Sequence, residues 1–514
     1  MEKVIEMKGI TKVFPGTIAN DDVNFELLRG ETHVLLGENG AGKTTLMNVL
    51  YGLYQPEKGD ICIKGEKVKI ANPNDAIKRG IGMVHQHFML VHNFTVAENI
   101  VLGAEPRKGL KLDINKAIED VENIAKKYGF NIDPKAVIED ITVGQQQKVE
   151  ILKALYRGAE ILILDEPTAV LTPMEIEELG NIINNLKAEG KSVILITHKL
   201  KEVMSMSDRV TIIRRGKVTG IVKTEDTSID ELAELMVGRK VQLTVDKKPS
   251  NPGEEILIVE NLQAKDGRGL PAVNGVNLKV KRGEILGIAG VDGNGQTELI
   301  EVLTGLRKAE SGKITLKDKD IFNKSSKEII DSGVGHIPED RQKRGLILKY
   351  SLYENSILGT HHKAPFSKNK VLDYKKIREY AKRIIKEFDV RTPSDEVPAS
   401  ALSGGNQQKL IVAREISKDP DLLIASQPTR GVDVGAIEFI HKRLVEERDS
   451  QKAVLLVSFE LDEILALSDR IAVMYDGQVV GVLDRKDADE QKLGILMAGG
   501  SLNKLEEEVI KDEQ

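Results

Sequence analysis

The sequence predicts an α/β protein made of two tandem domains, each built around parallel strands. One observation is an internal repeat: VLLGENGAGKT at 34–44 returns as GIAGVDGNGQT at 287–297, a separation of 253 residues. A repeat of this length indicates a duplicated domain, because solenoid repeats are only about 20–50 residues long. The other observation is that short apolar runs, such as 31–37 and 161–164, alternate with stretches of helical spacing. That order is typical of parallel strands joined by helices.

Changes of composition place the boundaries of the two domains. We predict a first domain over residues 1–238, a linker over 239–255, a second domain over 256–500 and a polar tail over 501–514. The linker sequence RKVQLTVDKKPSNPGEE combines two prolines, one glycine and several charges between two apolar patterns. Residues 107–157 are rich in helix formers and predict an inserted helical lobe.

The repeat also predicts where the two copies differ in length. ILILDEPT at 161–168 returns as LLIASQPT at 422–429, which is 261 residues later. Because the first pair of motifs is separated by only 253 residues, the second copy carries about eight additional residues, which we place between 339 and 402.

The composition excludes several classes of protein. Lysine and arginine number 74 against 80 aspartates and glutamates, a net charge of −6 that gives no sign of nucleic-acid binding. Aromatic residues make up 4% and tryptophan is absent, which disfavours a surface for base stacking. Cys62 is the only cysteine and excludes an internal disulfide. No run approaches the roughly 18 apolar residues of a membrane helix, so we expect any membrane role to be performed from outside the bilayer.

The sequence GENGAGKTT at 37–45 predicts a phosphate-binding loop. It fits the pattern G-x-x-x-x-G-K-[ST] and lies between a predicted strand and a predicted helix, a context that disfavours a chance glycine-rich turn. Glycines allow the backbone N–H groups to converge on phosphate oxygens, and the helix N-terminus adds partial positive charge. Lys43 is placed to reach the β- and γ-phosphates, and the Thr44 hydroxyl to bind Mg²⁺. The candidate nucleotide-binding residues of the loop are Gly37, Glu38, Asn39, Gly40, Ala41, Gly42, Lys43, Thr44 and Thr45.

Two carboxylates follow a second apolar strand of the first domain. In ILILDEP at 161–167, Asp165 is a candidate Mg²⁺ ligand and Glu166 a candidate base for the attacking water. An acidic pair at the end of a strand is on its own usually a solvated turn or a helix cap. Together with the phosphate loop, it predicts hydrolysis of a nucleoside triphosphate.

A third motif points to a particular family of phosphate-loop proteins. LSGGNQQK at 402–409 matches a family signature that other phosphate-loop NTPases lack, and it lies shortly before the second copy of the acidic strand. With this motif the sequence resembles the ATP-binding cassette (ABC) family over nearly all of both halves. The resemblance implies two tandem ABC-type P-loop ATPase domains that use ATP and Mg²⁺. Each would have a RecA-like core with a β-subdomain and a helical lobe.

The resemblance implies roles for three more residues of the first domain. Gln86 matches the glutamine that senses Mg²⁺ and the γ-phosphate, and His198 matches the histidine that contacts the γ-phosphate. Phe14 matches an aromatic residue that stacks on adenine, with packing in the core as its alternative. A metal site of histidines around Gln86 is disfavoured, since no set of carboxylates or cysteines accompanies them. The expected catalytic residues are Glu166, His198, Lys43 and Gln86, and the expected Mg²⁺ ligands are Thr44, Gln86 and Asp165.

The second copy lacks most of this chemistry. Loss of one preorganised charge stabiliser typically costs about 10²–10³ in rate, so the combined loss of lysine, base and metal ligand predicts very little turnover. The replacements are Gln296 for Lys43, Ser426 for Asp165, Gln427 for Glu166, Glu339 for Gln86 and Phe459 for His198.

ABC domains work as head-to-tail pairs, in which the phosphate loop of one faces the signature of the other. The resemblance therefore implies one chemically complete composite site, in which the first-domain residues named above meet the second-domain signature. The other composite site would pair the phosphate loop of the second domain with the signature of the first. That signature is weakened, because Val143 replaces a glycine and adds a branched side chain. The resulting hypothesis is a single hydrolytic site. The signature residues expected to bind ATP there are Ser403, Gly404, Gly405 and Asn406.

Two unequal cassettes in one chain resemble the ATPase subunits of importers for simple sugars and nucleosides. HQHFMLV at 85–91, FTVAENI at 94–100 and QPTRGVDVGA at 427–436 look most like the nucleoside branch, with ribose- or galactose-type import as the alternative. The family implies two integral-membrane permease subunits, an extracytoplasmic substrate-binding lipoprotein, and a peripheral location at the cytoplasmic face of the membrane. Residues 88–90 would then transmit domain closure to a permease, unless they are ordinary core.

A soluble twin-cassette ATPase acting on ribosomes or DNA is the hypothesis from a different class. Such factors usually keep two intact sites and carry a long charged helical linker. Here the predicted linker covers only 239–255 and the chain is mildly acidic, so we expect no nucleic-acid partner.

Overall fold

The computed structural model of the chain describes residues 2–86, 88–109, 111–168, 171–240, 245 and 247–500. The chain divides into two compact units, unit 1 (residues 1–241) and unit 2 (residues 242–514). The predicted polar tail lies outside the described residues, as do residues 241–244 and 246 of the predicted linker. Among the helices described, none has the length and apolar character needed to span a membrane.

Unit 1 alternates strands and helices along most of its length. Its strands are β1 (Lys3–Phe14), β2 (Thr17–Leu28), β3 (Thr32–Leu36), β4 (Lys58–Ile63), β5 (Glu66–Val68), β6 (Ile81–Val84), β7 (Arg107–Lys108), β8 (Lys111–Leu112), β9 (Ile161–Asp165), β10 (Ser192–Thr197), β11 (Arg209–Arg214) and β12 (Lys217–Lys223). Its helices are α1 (Lys43–Leu50), α2 (Pro73–Lys78), α3 (Val96–Val101), α4 (Ile114–Tyr128), α5 (Val143–Tyr156), α6 (Pro173–Ala188), α7 (Leu200–Met206) and α8 (Ile229–Val237).

Two sheets organise unit 1. The larger has the strand order β12-β11-β3-β10-β9-β6, and every neighbouring pair is parallel except the β11–β12 edge. Strands β3, β9 and β10 are buried along their whole length, which explains their continuous apolar sequences. The smaller sheet is antiparallel, in the order β2-β1-β4-β5. The carboxyl ends of β3, β9 and β10 meet at one edge, where ligands bind in open parallel sheets.

Unit 2 repeats these elements. Its strands are β13 (Glu255–Lys265), β14 (Pro271–Lys281), β15 (Ile285–Ala289), β16 (Ser311–Leu316), β17 (Lys319–Asp320), β18 (Val334–Ile337), β19 (Ser367–Lys368), β20 (Val371–Leu372), β21 (Leu422–Ser426), β22 (Ala453–Val457), β23 (Arg470–Tyr475) and β24 (Gln478–Asp484). Its helices are α9 (Gln296–Leu303), α10 (Ser326–Asp331), α11 (Leu352–Ser356), α12 (Tyr374–Glu387), α13 (Gly404–Ile416), α14 (Val434–Asp449), α15 (Leu461–Leu467) and α16 (Glu490–Met497).

The sheets of unit 2 have the same strand orders as those of unit 1, which confirms the predicted α/β duplication. The additional residues of the second copy are divided among three places. Corresponding elements start 253 residues apart at β6 and β18, 256 apart at α3 and α11, 260 apart at α4 and α12, and 261 apart at α5 and α13. Three of the additional residues therefore lie between β18 and α11, in a segment that contains a single π-helical turn at Arg341–Gly345.

The end of the predicted linker is packed on unit 2. Lys247 Nζ donates to the carbonyl oxygens of Leu467 and Ser468 at 2.9 and 2.8 Å. The fully buried Arg448 donates through Nη2 to the carbonyl oxygen of Lys248 at 2.9 Å. From residue 247 onward, this segment is therefore an ordered part of the second unit.

Candidate functional site

The phosphate loop of unit 1 connects the end of β3 to the start of α1. Gly40 and Gly42 have φ values of 80° and 104°, in the left-handed region that glycine adopts without strain. A Cβ on Gly42 would lie 2.2 Å from the carbonyl oxygen of Ala19, so no larger residue fits there. Within the described part of the chain, no side chain caps the start of α1. Its first N–H groups thus form an anion-binding helix terminus, as the motif predicts.

Lys43, the first residue of α1, folds back over this loop. Its side chain is 5% exposed, and Nζ donates to the carbonyl oxygens of Gly37 at 2.6 Å and Glu38 at 3.0 Å. Burial lowers the pKa of Lys43, and the negative charges of Glu166 and Asp165 oppose that shift. The lysine is therefore held at the loop by groups that phosphate oxygens can replace.

Asp165 ends β9 beside the start of α1. Thr44 Oγ1 donates to Asp165 Oδ1 at 3.3 Å. Burial, with a smaller contribution from the Glu166 charge, raises the pKa of the Asp165 carboxyl to about 6, although the hydrogen bond from Thr44 opposes the shift. Mg²⁺ is usually held by one or two carboxylates together with substrate phosphates and water, and it prefers oxygen donors. The Thr44 hydroxyl and the Asp165 carboxylate together provide oxygen donors that fit Mg²⁺.

Glu166 is the residue on which the predicted catalytic groups converge. Gln86 Nε2 donates to Glu166 Oε2 at 3.0 Å, and His198 Nδ1 lies 3.1 Å from Glu166 Oε1. Burial favours protonation of Glu166, but the hydrogen bond and charge of His198, with the charge of Lys43, outweigh it and lower the pKa. Glu166 has a φ of 47°, unusual for a non-glycine residue, and its N–H donates to the Ile196 carbonyl oxygen at 2.9 Å. The acid is thus ionised and held on both oxygens.

One residue of this region was missed in the sequence. Glu202, on α7, is buried; its Oε2 accepts from Thr197 Oγ1 at 2.7 Å and its Oε1 accepts a very short bond from Thr168 Oγ1. Burial raises the pKa of Glu202. The carboxyl joins the segment that follows Glu166 to the strand end that precedes His198, so Glu202 acts as a positioning residue. Its sequence signal is an acid on the buried face of a short helix directly after the histidine.

We expect Glu202→Ala to lower kcat by about tenfold with little change in KM, because two hydroxyls lose their common acceptor and the catalytic pair loses its alignment. The free energy of unfolding should fall by about 1–3 kcal/mol, because the buried hydroxyls of Thr168 and Thr197 would be left without an acceptor. The measurements are kcat and KM of ATP hydrolysis with thermal unfolding. Glu202→Gln, which keeps one acceptor oxygen, should recover most of the lost kcat. An unchanged kcat in Glu202→Ala would exclude the positioning role.

Phe14 lies at the end of β1 and is partly exposed. Its ring packs edge-on against Tyr54, with centroids 5.4 Å apart, and Lys12 Nζ lies 5.5 Å from its centroid. The predicted stacking on adenine stays a prediction. Among the histidines near Gln86, the ring of His85 packs on Tyr51 and His87 lies outside the described residues. The part of the chain that is described holds no cluster of three His, Cys, Asp or Glu residues suited to a metal.

The signature of unit 2 forms the start of α13. Ser403 caps this helix, and its Oγ accepts from the Asn406 backbone N at 3.4 Å and from Asn406 Nδ2 at 2.9 Å. A Cβ on Gly404 would lie 2.9 Å from Arg341 Nη2, and one on Gly405 would lie 2.7 Å from Asp433 Oδ2. A larger residue at either glycine would therefore have to displace the end of a neighbouring side chain, and the role of the turn toward ATP stays a prediction.

Comparisons with known proteins agree with this architecture. The family model described as ABC transporter matches residues 20–169 and 273–430. The guanosine import ATP-binding protein NupO of Bacillus subtilis (strain 168) is 57% identical over 98% of each chain. The nucleoside import ATP-binding protein NupA of Lactococcus lactis subsp. cremoris (strain MG1363) is 55% identical over 98% of this chain and 99% of its own. The ribose import ATP-binding protein RbsA of Clostridium tetani (strain Massachusetts / E88) is 41% identical over 95% and 96%.

Proposed function

Because the chain belongs to the ATP-binding proteins of ABC transporters, which are ATPases coupled to transport, we propose that unit 1 hydrolyses ATP to energise the import of nucleosides. The observation that carries the proposal is the meeting of Gln86 and His198 on the two oxygens of Glu166, beside the Lys43 loop. The nucleoside part rests on the two nucleoside import proteins at 57% and 55% identity, against 41% for the ribose import protein.

The residues of unit 1 have distinct roles in the proposed reaction. The ionised Glu166 accepts a proton from the attacking water, while Gln86 and His198 keep its two oxygens in place. Lys43 exchanges its carbonyl acceptors for phosphate oxygens and offsets their charge. Thr44 and Asp165 would hold Mg²⁺, which would offset the charge of the phosphate chain. Ser403–Asn406 of the signature are proposed to take part in the same hydrolysis.

A groove next to the site is the proposed contact for one permease subunit. It has a volume of about 130 Å³, with Ile81, Met83 and Ala154 among its apolar lining. Met89 is 66% exposed at its rim, whereas Leu90 is buried, so residues 88–90 combine a surface position with a core position. This segment starts only two residues after Gln86, which links the docking surface to the catalytic acid.

Two side chains of α5 hold the rim of this groove. Glu150 Oε1 accepts from the Met89 backbone N at 2.8 Å, and Lys153 Nζ donates to the Met89 carbonyl oxygen at 3.0 Å. A permease segment that displaces Met89 would therefore move a backbone tied to α5 and joined to Gln86. We propose this connection as the route by which hydrolysis and permease movement are coupled, with the chain bound peripherally at the cytoplasmic face of the membrane.

Transport by the assembled complex tests both parts of this proposal. We expect vesicles that contain the complex to accumulate labelled guanosine, and unlabelled ribose in excess not to reduce uptake. Met89→Asp should lower uptake at least about tenfold, since a charge in an apolar contact is poorly solvated, while the isolated variant chain keeps its ATPase rate.

The exposed substitution Met174→Asp, on the first turn of α6, is the matched control and should leave uptake unchanged. Uptake of ribose in place of guanosine would refute the substrate assignment. Full uptake by Met89→Asp would refute the docking surface.

A further inference from the structure

The phosphate loop of unit 2 keeps the shape of its counterpart. It joins the end of β15 to the start of α9, a helix of eight residues. Gly293 and Gly295 have φ values of 89° and 93°, and a Cβ on Gly295 would lie 2.1 Å from the Ala272 carbonyl oxygen. No described side chain caps α9. The cradle for an anion is therefore present although its lysine is not.

Two buried side-chain amide nitrogens lack an acceptor among the described residues of unit 2, one at this loop and one directly after β21. Gln296 is 2% exposed, and its Nε2 finds no acceptor among the described residues. The side chain folds back over the loop, as shown by the position of its Nε2 atom, which lies 2.0 Å from where a Cβ on Gly290 would be. Gln427 is 4% exposed; its Oε1 accepts from the Phe459 N at 3.2 Å, while its Nε2 is likewise unpaired in the part of the chain described. An unsatisfied buried donor costs about 1–3 kcal/mol, so ligand oxygens that accept from these two amides would remove that cost.

The residues of this second site do not fit Mg²⁺. Ser426 and Gln427 occupy the positions of the two acids, so the strand end offers no carboxylate. Glu339, the counterpart of Gln86, is ion-paired with Arg430 and also lies 3.5 Å from Thr297 Oγ1. An arginine bound to the carboxylate already supplies the positive charge that a metal would bring. The carboxylate that accepts from Thr297 is therefore already neutralised by an arginine, which disfavours the family's metal here.

The charge balance of the two loops explains how a phosphate chain can bind without a metal. In unit 1, Lys43 faces Asp165 and Glu166, one positive charge against two negative ones, so a polyphosphate needs Mg²⁺ to offset the acids. In unit 2 the three corresponding groups, Gln296, Ser426 and Gln427, are neutral. The Glu339 carboxylate beside this helix start is offset by its ion pair with Arg430, so the neutral donors at the helix N-terminus attract a phosphate oxyanion.

We propose that the phosphate loop of unit 2 binds the polyphosphate chain of a nucleotide without a divalent cation and holds it without hydrolysis. Gln296 and Gln427 donate to its oxygens, together with the backbone N–H groups at the start of α9. The inference concerns unit 2 alone and does not depend on which solute is imported or on turnover in unit 1.

Equilibrium binding of labelled ATP to the full chain in excess EDTA tests this proposal. We expect about one ATP per chain, displaced by tripolyphosphate and not by adenosine. Lys43→Ala should change the affinity less than about twofold. Gln296→Glu should weaken binding at least about tenfold and Gln296→Lys should tighten it several-fold, since a charge of either sign there acts directly on the phosphates. A merely misfolded site cannot bind more tightly, which makes the lysine variant decisive.

Three results would overturn the proposal: no binding in EDTA, displacement by adenosine alone, or binding that Lys43→Ala abolishes and the Gln296 variants leave unchanged. Hydrolysis in the presence of Mg²⁺, measured on the same preparations, reports separately on unit 1. Failure of the metal-free site and failure of the proposed ATPase mechanism are therefore distinguishable.

Discussion

Glu166→Gln should reduce steady-state ATP hydrolysis at least about 100-fold, because the variant removes the general base while keeping the size of the side chain. The glutamine can still contact Gln86 and His198, so the loss would reflect proton transfer rather than collapse of the site. The measurement is kcat at saturating ATP and Mg²⁺. KM should change little, because Glu166 is assigned to the water and not to the nucleotide.

Two controls accompany this variant. Glu160→Gln removes a carboxylate from an exposed ion pair with Lys64 just before β9, and it should leave kcat unchanged. The double substitution Ser426→Asp/Gln427→Glu restores the acids of unit 2 but not the lysine, so it should not rescue Glu166→Gln. Full turnover by Glu166→Gln would show that the base has been assigned wrongly.

Lys43→Gln should lower kcat by about 10²–10³, because a neutral amide cannot supply the charge that Lys43 brings to the phosphates. The substitution gives unit 1 the residue that unit 2 already has at the same place, Gln296, which is itself buried at the start of a helix. Since burial already lowers the pKa of Lys43, a neutral side chain there should not reduce stability. Hydrolysis and thermal unfolding are measured together.

The matched control for this variant is Lys64→Gln, the other half of the exposed pair with Glu160. It removes the same charge from a surface position and should change kcat by less than about twofold, as expected for exposed ion pairs. Comparable losses in both lysine variants would mean that overall charge, and not the position of Lys43, controls turnover.

Much of the site was predictable because its residues follow strands that are easily recognised. β3 and β9 are buried runs of five residues, and each ends directly at a motif, so their chemistry follows from sequence context. The meeting of Gln86, Glu166 and His198 was expected from the resemblance alone. The distances that show it join residues 80 and 32 positions apart, which no local pattern encodes.

Other features depend on partners that the sequence does not identify. Glu202 resembles an ordinary helix acid until its two threonine partners are seen on different segments. Glu339, which replaces Gln86 in the second copy, is ion-paired with Arg430, 91 positions away along the chain. Similarly, residues 88–90 read as one apolar run, yet Met89 is exposed and Leu90 buried. Each outcome is decided by tertiary packing.

Trapping of labelled ADP with orthovanadate and Mg²⁺ is the most direct test of the claim that only unit 1 hydrolyses ATP. Vanadate replaces the departed phosphate and retains ADP only where turnover has occurred. We expect about one trapped ADP per chain in the parent and none in Lys43→Gln. Two trapped ADP per chain, or trapping that survives in Lys43→Gln, would contradict the account.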